Sequence, residues 1–186
     1  MNRATKLSII LGYNGTGKTT LTKKIVMHEL RHKRRALIIT PDDIEWPTIE
    51  IVHPRFPERI REYVGARKII YEPGILPIIS KNYRNGILIF DDCRAYLTAS
   101  LDSDLHNIMI RRRQKMMDII AVGHGFTEVP PKFFTFASEI ILFRTIDNID
   151  KRKPVIRNFE QMQAAQIRIN KAAQTNPHYY EVIPLQ

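Results

Sequence analysis

Residues 12–19 read Gly-Tyr-Asn-Gly-Thr-Gly-Lys-Thr and match the pattern G-x-x-x-x-G-K-[ST] at every fixed position. The chemistry explains the spacing. Gly12, Gly15 and Gly17 let backbone N–H groups turn inward around a phosphate with no side chain in the way. Tyr13, Asn14 and Thr16 fill the variable positions of the same loop. Lys18 supplies a cation for the β- and γ-phosphates, and the Thr19 hydroxyl is a ligand for Mg²⁺. Thr20 follows at the start of a helix whose N-terminal partial charge adds to the attraction. These residues predict a site for a nucleoside triphosphate, ATP or GTP, with Mg²⁺.

A second group sits on Ile87-Leu88-Ile89-Phe90-Asp91-Asp92, an apolar run ending in two carboxylates. A strand beside the loop strand would deliver Asp91 to the Mg²⁺ held by Thr19. Asp92 then falls where a carboxylate can activate the attacking water. A third run, Ile119 to Val122, ends in Gly123-His124, which places His124 among the ligand-facing strand tips, where it can sense the γ-phosphate. Thr127 is a weaker candidate at the same tip.

Arginines supply the remaining candidates. Arg111, Arg112 and Arg113 are consecutive, and neighbours on a helix point about 100° apart, so at most one aims at a given phosphate. An arginine finger for a neighbouring subunit, contacts to a nucleic-acid backbone and a solvated surface all stand open for Arg111 and Arg112. Arg144, after the run 140–143, is a rival finger or sensor, and Arg94, straight after the acidic pair, is a third.

The elements that must position these groups are legible as continuous apolar runs at 7–11, 36–40, 68–71, 87–90, 119–122 and 140–143. Unbroken rather than alternating apolar character predicts strands covered on both faces, hence a parallel sheet in a three-layer α/β sandwich. Helices are expected over 19–32, 104–117 and 161–176, with a last short strand at 179–184. The basic run 31–35 suits the negative end of the first helix. Segments 41–57 and 73–77, rich in proline, read as an irregular excursion and a break.

With 186 residues, 44% hydrophobic and 26% charged, the chain fits one globular domain, with a core at about 5–145 and a C-terminal helix and tail at about 155–186. A single cysteine excludes an internal disulfide framework. No run reaches the length of a transmembrane segment, and the first apolar run passes directly into the glycine loop, unlike a secretory leader. The net charge of +10 exceeds what a triphosphate site needs and suits a polyanionic partner.

The order of loop, acidic pair and polar strand tip resembles the FtsK/HerA class of P-loop ATPases. The segment 111–144 carries much of that likeness: a basic helix, a strand ending in His124, the stretch Val129-Pro130-Pro131 and a further strand. Within the class, the small size and the Asp91-Asp92 pair are most similar to viral genome-packaging ATPases of poxviruses and internal-membrane icosahedral viruses; the Zot-type phage assembly ATPases come next. Two departures stand out: Asp92 replaces the usual glutamate, and His124 stands where cellular pumps often have glutamine. The resemblance implies a ring homo-oligomer, hexameric, with ATP between subunits and double-stranded DNA in a central channel. It further implies a capsid or membrane-vertex protein as partner, and a place in the host cytoplasm or on the virion. A nucleotide or small-molecule kinase and an assembly NTPase without DNA pumping are the competing readings.

Overall fold

The computed structural model describes residues 4–97 and 102–185. The six apolar runs all form strands: β1 (Leu7–Leu11), β2 (Arg35–Thr40), β3 (Ala66–Ile70), β4 (Gly86–Phe90), β5 (Met117–Gly123) and β6 (Glu139–Phe143), with β7 (Tyr180–Pro184) closing the chain. They join in one 7-stranded sheet of order β3-β2-β4-β5-β1-β6-β7. All pairings are parallel except that of β7, which runs antiparallel to β6.

Both faces of the sheet are covered, as unbroken apolar strands require. On one face, Leu7, Ile9 and Leu11 pack with residues of α3 (Ile75–Asn82), α4 (Asp102–Arg111), α5 (Pro131–Phe136) and α6 (Phe159–Ala172). On the other, Ile10, Ile38 and Ile89 meet Val26 of α1 (Lys18–Arg31) together with Trp46 from the excursion 41–57. The fold is therefore the α/β three-layer sandwich expected of the glycine loop.

Several expectations need correction. The acidic strand β4 does not lie beside β1; β5 separates them, pairing Phe90 with Ala121 on one side and Leu11 with Gly123 on the other. The helix expected over 104–117 ends at Arg111, and Met117 already begins β5. Lys115 N and Met116 N close turns onto Arg111 and Arg113 carbonyls, and Met116, at φ +51, leads directly into β5. The break at 73–77 contains the start of α3. Gly74 is left-handed at φ +88, and Pro77 falls in the first turn, where a missing N–H costs no hydrogen bond. The excursion 41–57 leads into a short helix, α2 (Glu58–Arg61).

The basic run 31–35 does more than complement a helix dipole. Arg34 turns inward, pairing with Glu29 and donating to Asp118 Oδ2 at 2.7 Å and to the Gly86 carbonyl at 3.1 Å. Arg35 donates to the Arg61 and Arg84 carbonyls and lies over the rings of Tyr63 and Tyr83.

Candidate nucleotide site

The carboxyl ends of β1, β5 and β4 open onto one cleft of about 530 Å³. Lys18, Thr19 and Thr20 line it from the loop, Asp91 and Asp92 from β4, and Gly123 and His124 from β5. Because β5 lies between the other two strands, His124 stands between the lysine and the acidic pair: its Nδ1 is 3.3 Å from Lys18 Nζ and its Nε2 is 3.6 Å from Asp92 Oδ1. The topology thus assembles in one place four groups that follow three different strands.

The loop itself is shaped by close contacts. A Cβ on Gly12 would lie 2.5 Å from Phe143 Cβ and 2.9 Å from Thr16 Oγ1, so only glycine lets β1 pass so near β6. Gly15 and Gly17 take φ of +76 and +101, in the left-handed region that favours glycine. Tyr13 N donates to the Arg144 carbonyl at 2.9 Å, and the Tyr13 carbonyl accepts from Thr16 Oγ1 at 2.7 Å and from Lys18 Nζ at 2.9 Å. The lysine is thereby folded back on its own loop. It is 7% exposed, and burial pushes its pKa down, opposed by the Asp92 and Asp91 carboxylates. A triphosphate in the loop would replace a carbonyl with full negative charge and favour the charged lysine.

Asp91 is also 7% exposed. Burial raises its pKa, and the hydrogen bond from Trp46 Nε1 to Oδ2, at 2.6 Å, opposes the rise. Trp46 is held in turn by Lys68 of β3, whose ammonium is engaged by the Trp46 carbonyl and Asp43. The excursion 41–57 is therefore clamped across the sheet and brings Glu45 to the cleft wall. Thr19 and Asp91 both face the cleft, but among the described residues no group of three or more metal-binding side chains exists. Two protein oxygens with the rest of the shell from phosphates and water is how Mg²⁺ is commonly held at phosphate sites, so the residues fit that ion.

Several residues of this site were not legible in the sequence, among them Asp42, Glu45 and His178, which line the cleft, and Trp46, which holds Asp91. Trp46 and Glu45 come from the proline-rich excursion, where the chain's sole tryptophan was the available signal. His178 stands 162 residues beyond Thr16, yet its Nδ1 lies 3.1 Å from the Thr16 carbonyl and it lines the cleft beside Gly17. Nothing in the local sequence announces it.

The other candidates lie apart. Arg144 is exposed and lines a second hollow of about 310 Å³ with Tyr13, Asn14, Gly15 and Thr16, on the far side of the loop. Arg94 donates to Glu128 Oε1 at 2.6 Å, and Glu128 Oε2 accepts from His124 N at 3.3 Å, so both sit at the cleft rim. Thr127 is engaged by Asp147, donating through its N–H at 2.8 Å. Arg111 and Arg112 precede β5 and so fall at its start, one strand length, roughly 20 Å, from the cleft. Arg112 is buried and donates to the Met109 carbonyl at 3.1 Å, which turns it inward rather than toward a neighbouring subunit.

No protein-family model and no curated protein sequence matches this chain. Solved structures do. The genome packaging NTPase B204 from Sulfolobus turreted icosahedral virus 2, in complex with sulfate, superposes with a TM-score of 0.70 at 15% identity, over 99% of this chain and 93% of that one. The DNA-packaging ATPase B204 from Sulfolobus Turreted Icosahedral Virus gives 0.67 at 16% identity over 100% of both chains. The conjugation coupling protein TcpA of pCW3, with ATPgS, gives 0.52 at 11% identity over 82% of this chain and 52% of that one. The shared feature is the fold, that of the P-loop NTPases. The neighbours are of the kind the loop, acidic pair and strand tip resemble, and the likeness to B204 runs the full length of the domain.

Proposed function

We propose that this chain is an ATP-hydrolysing motor that drives a viral double-stranded DNA genome into a preformed capsid. The observation that carries the proposal is the convergence of Lys18, Asp91, Asp92 and His124 on one cleft at the strand tips of β1, β4 and β5. Lys18 and the loop amides bind the triphosphate, and Thr19 and Asp91 hold its Mg²⁺, which neutralises phosphate charge when bound. Asp92 is the carboxylate that takes a proton from the attacking water. It is partly open to solvent and reaches His124, which can report the presence of the γ-phosphate. Full-length likeness of fold to B204, a genome packaging NTPase, supports the packaging role.

The ring, DNA and capsid or vertex partners, and a place in the host cytoplasm or on the virion, follow from the same reading. Among the described residues no helix is long and apolar enough to cross a membrane. Of the arginines, Arg144 is exposed beside the loop, so it is the finger we assign for a neighbour's nucleotide; Arg111 and Arg112 sit at the other end of the sheet.

Hydrolysis assays on two variants test the site. Lys18→Ala should lower turnover about 100-fold or more, since a principal phosphate contact is gone. Asp92→Asn should retain ATP and stop hydrolysis. Full activity in Lys18→Ala contradicts the site, and full activity in Asp92→Asn removes its assignment as the base.

A further inference from the structure

The end of the molecule opposite the cleft carries a group of exposed cations. Four neighbouring strands, β3, β2, β4 and β5 in sheet order, all begin there, because they are parallel. The helix ends and turns that lead into them carry exposed cations: Arg61 before β3, Lys33 before β2, Lys81 and Arg84 before β4, and Arg111 and Arg113 before β5. These residues are scattered over 80 positions of sequence, and only the parallel sheet brings them together.

The turns are also tied to one another. Arg35 donates to the carbonyls of Arg61 and Arg84, joining the starts of β3, β2 and β4. Arg61 donates to Asn82 Oδ1 at 3.0 Å. Lys115 is accepted by the Lys81 carbonyl at 3.1 Å, and Asn85 N donates to the Lys115 carbonyl at 2.9 Å, which joins β4 to β5. Two carboxylates that could offset the charge, Glu29 and Asp118, are both engaged by Arg34. In the hollow of about 1000 Å³ between these turns, Glu62 is the sole acidic lining residue. Like charges gathered on a braced platform repel one another, and a polyanion offsets that cost.

We infer that this end of the sheet is the surface that grips double-stranded DNA through its phosphates. The inference rests on the motor reading above and adds where the DNA lies. Four strand starts span about 14 Å at the usual strand spacing, and a duplex presents about eight phosphates over that length. The side chains carry charge without a shaped base-reading element, so the grip is on the backbone and independent of sequence. Nucleotide and DNA then sit at opposite ends of β4 and β5, the strands that carry Asp91, Asp92 and His124 at their other tips.

The test is binding of the full chain to a blunt duplex of mixed sequence across a salt series. Lys33→Ala, Lys81→Ala, Arg84→Ala and Arg113→Ala combined should bind at least about tenfold more weakly, with the slope of log K against log salt shallower by roughly 3.6. An equal charge removal elsewhere, at Lys24, Lys151, Arg157 and Lys171, should leave the slope near wild type. Should the combined variant not fold, each of the four substitutions made singly should flatten the slope by about 0.9. If wild type fails to bind duplex at low salt, the motor reading falls and takes this inference with it. If wild type binds but only the control variant loses affinity, the surface is misplaced and the motor reading stands. Loss of binding to phosphatidylserine vesicles with duplex binding intact would also overturn the assignment.

Discussion

At the residue scale the two groups assigned to phosphate and metal are both buried and held by protein partners. Lys18 bonds the Tyr13 carbonyl, and Asp91 accepts from the Trp46 indole at 2.6 Å. Both are charged groups taken out of water, a cost recovered when Mg²⁺ and triphosphate arrive. Asp91→Asn should therefore stabilise the protein by about 1 kcal/mol when no nucleotide is added, seen as a higher melting temperature, while Mg²⁺-dependent turnover disappears. A lower melting temperature would show that the carboxylate stabilises the fold. Burial raises the Asp91 pKa, so as pH falls the carboxyl protonates earlier than an ordinary aspartate. Turnover per unit of Mg²⁺ should accordingly decline on the acid side at a higher pH than a solvent-exposed aspartate would give. Trp46 is the one tryptophan, so its fluorescence reads the same event: emission should change when Mg²⁺ and ATP are added together to wild type. No change would mean that Asp91 keeps its indole partner when nucleotide binds.

At the element scale, the close approach of β1 to β6 depends on Gly12. Gly12→Ala places a Cβ 2.5 Å from Phe143 Cβ, and the strands must part to admit it. We expect a loss of about 1–3 kcal/mol in thermal or denaturant unfolding, with weaker nucleotide binding. Six strands were legible because β-branched and aromatic runs, buried on both faces, leave an unbroken apolar trace. The order of strands in the sheet was not, since Ile87–Phe90 and Ile119–Val122 have the same apolar character and either would fit beside β1. That is why β5, not β4, proved to be the neighbour, carrying His124 between lysine and acid. The start of α3 was hidden because Pro77 reads as a breaker, although a first-turn proline is tolerated. Trp46 and His178 reach the cleft through contacts far apart in sequence, and no local pattern encodes such contacts.

For the molecule as a whole, two groupings of charge lie at opposite ends of the sheet. Asp42, Glu45, Asp91 and Asp92 gather at the cleft, and the cationic strand starts lie at the other end. Such a division suits a machine that takes a metal-bound nucleotide at one end and a phosphate backbone at the other. If Arg144 acts on a neighbour's nucleotide, mixing Arg144→Ala with wild type should depress activity more steeply than in proportion to the mutant fraction. A linear loss places the arginine in its own subunit's site.

The central claim is that DNA drives the hydrolysis, and it is tested most directly by ATP turnover with and without duplex DNA, read alongside particle mass. Duplex should raise turnover several-fold, in an assembly whose mass is a multiple of the 21.7 kDa chain. Turnover indifferent to duplex, in a monomer that phosphorylates a nucleoside monophosphate, would contradict the motor and establish a kinase in its place.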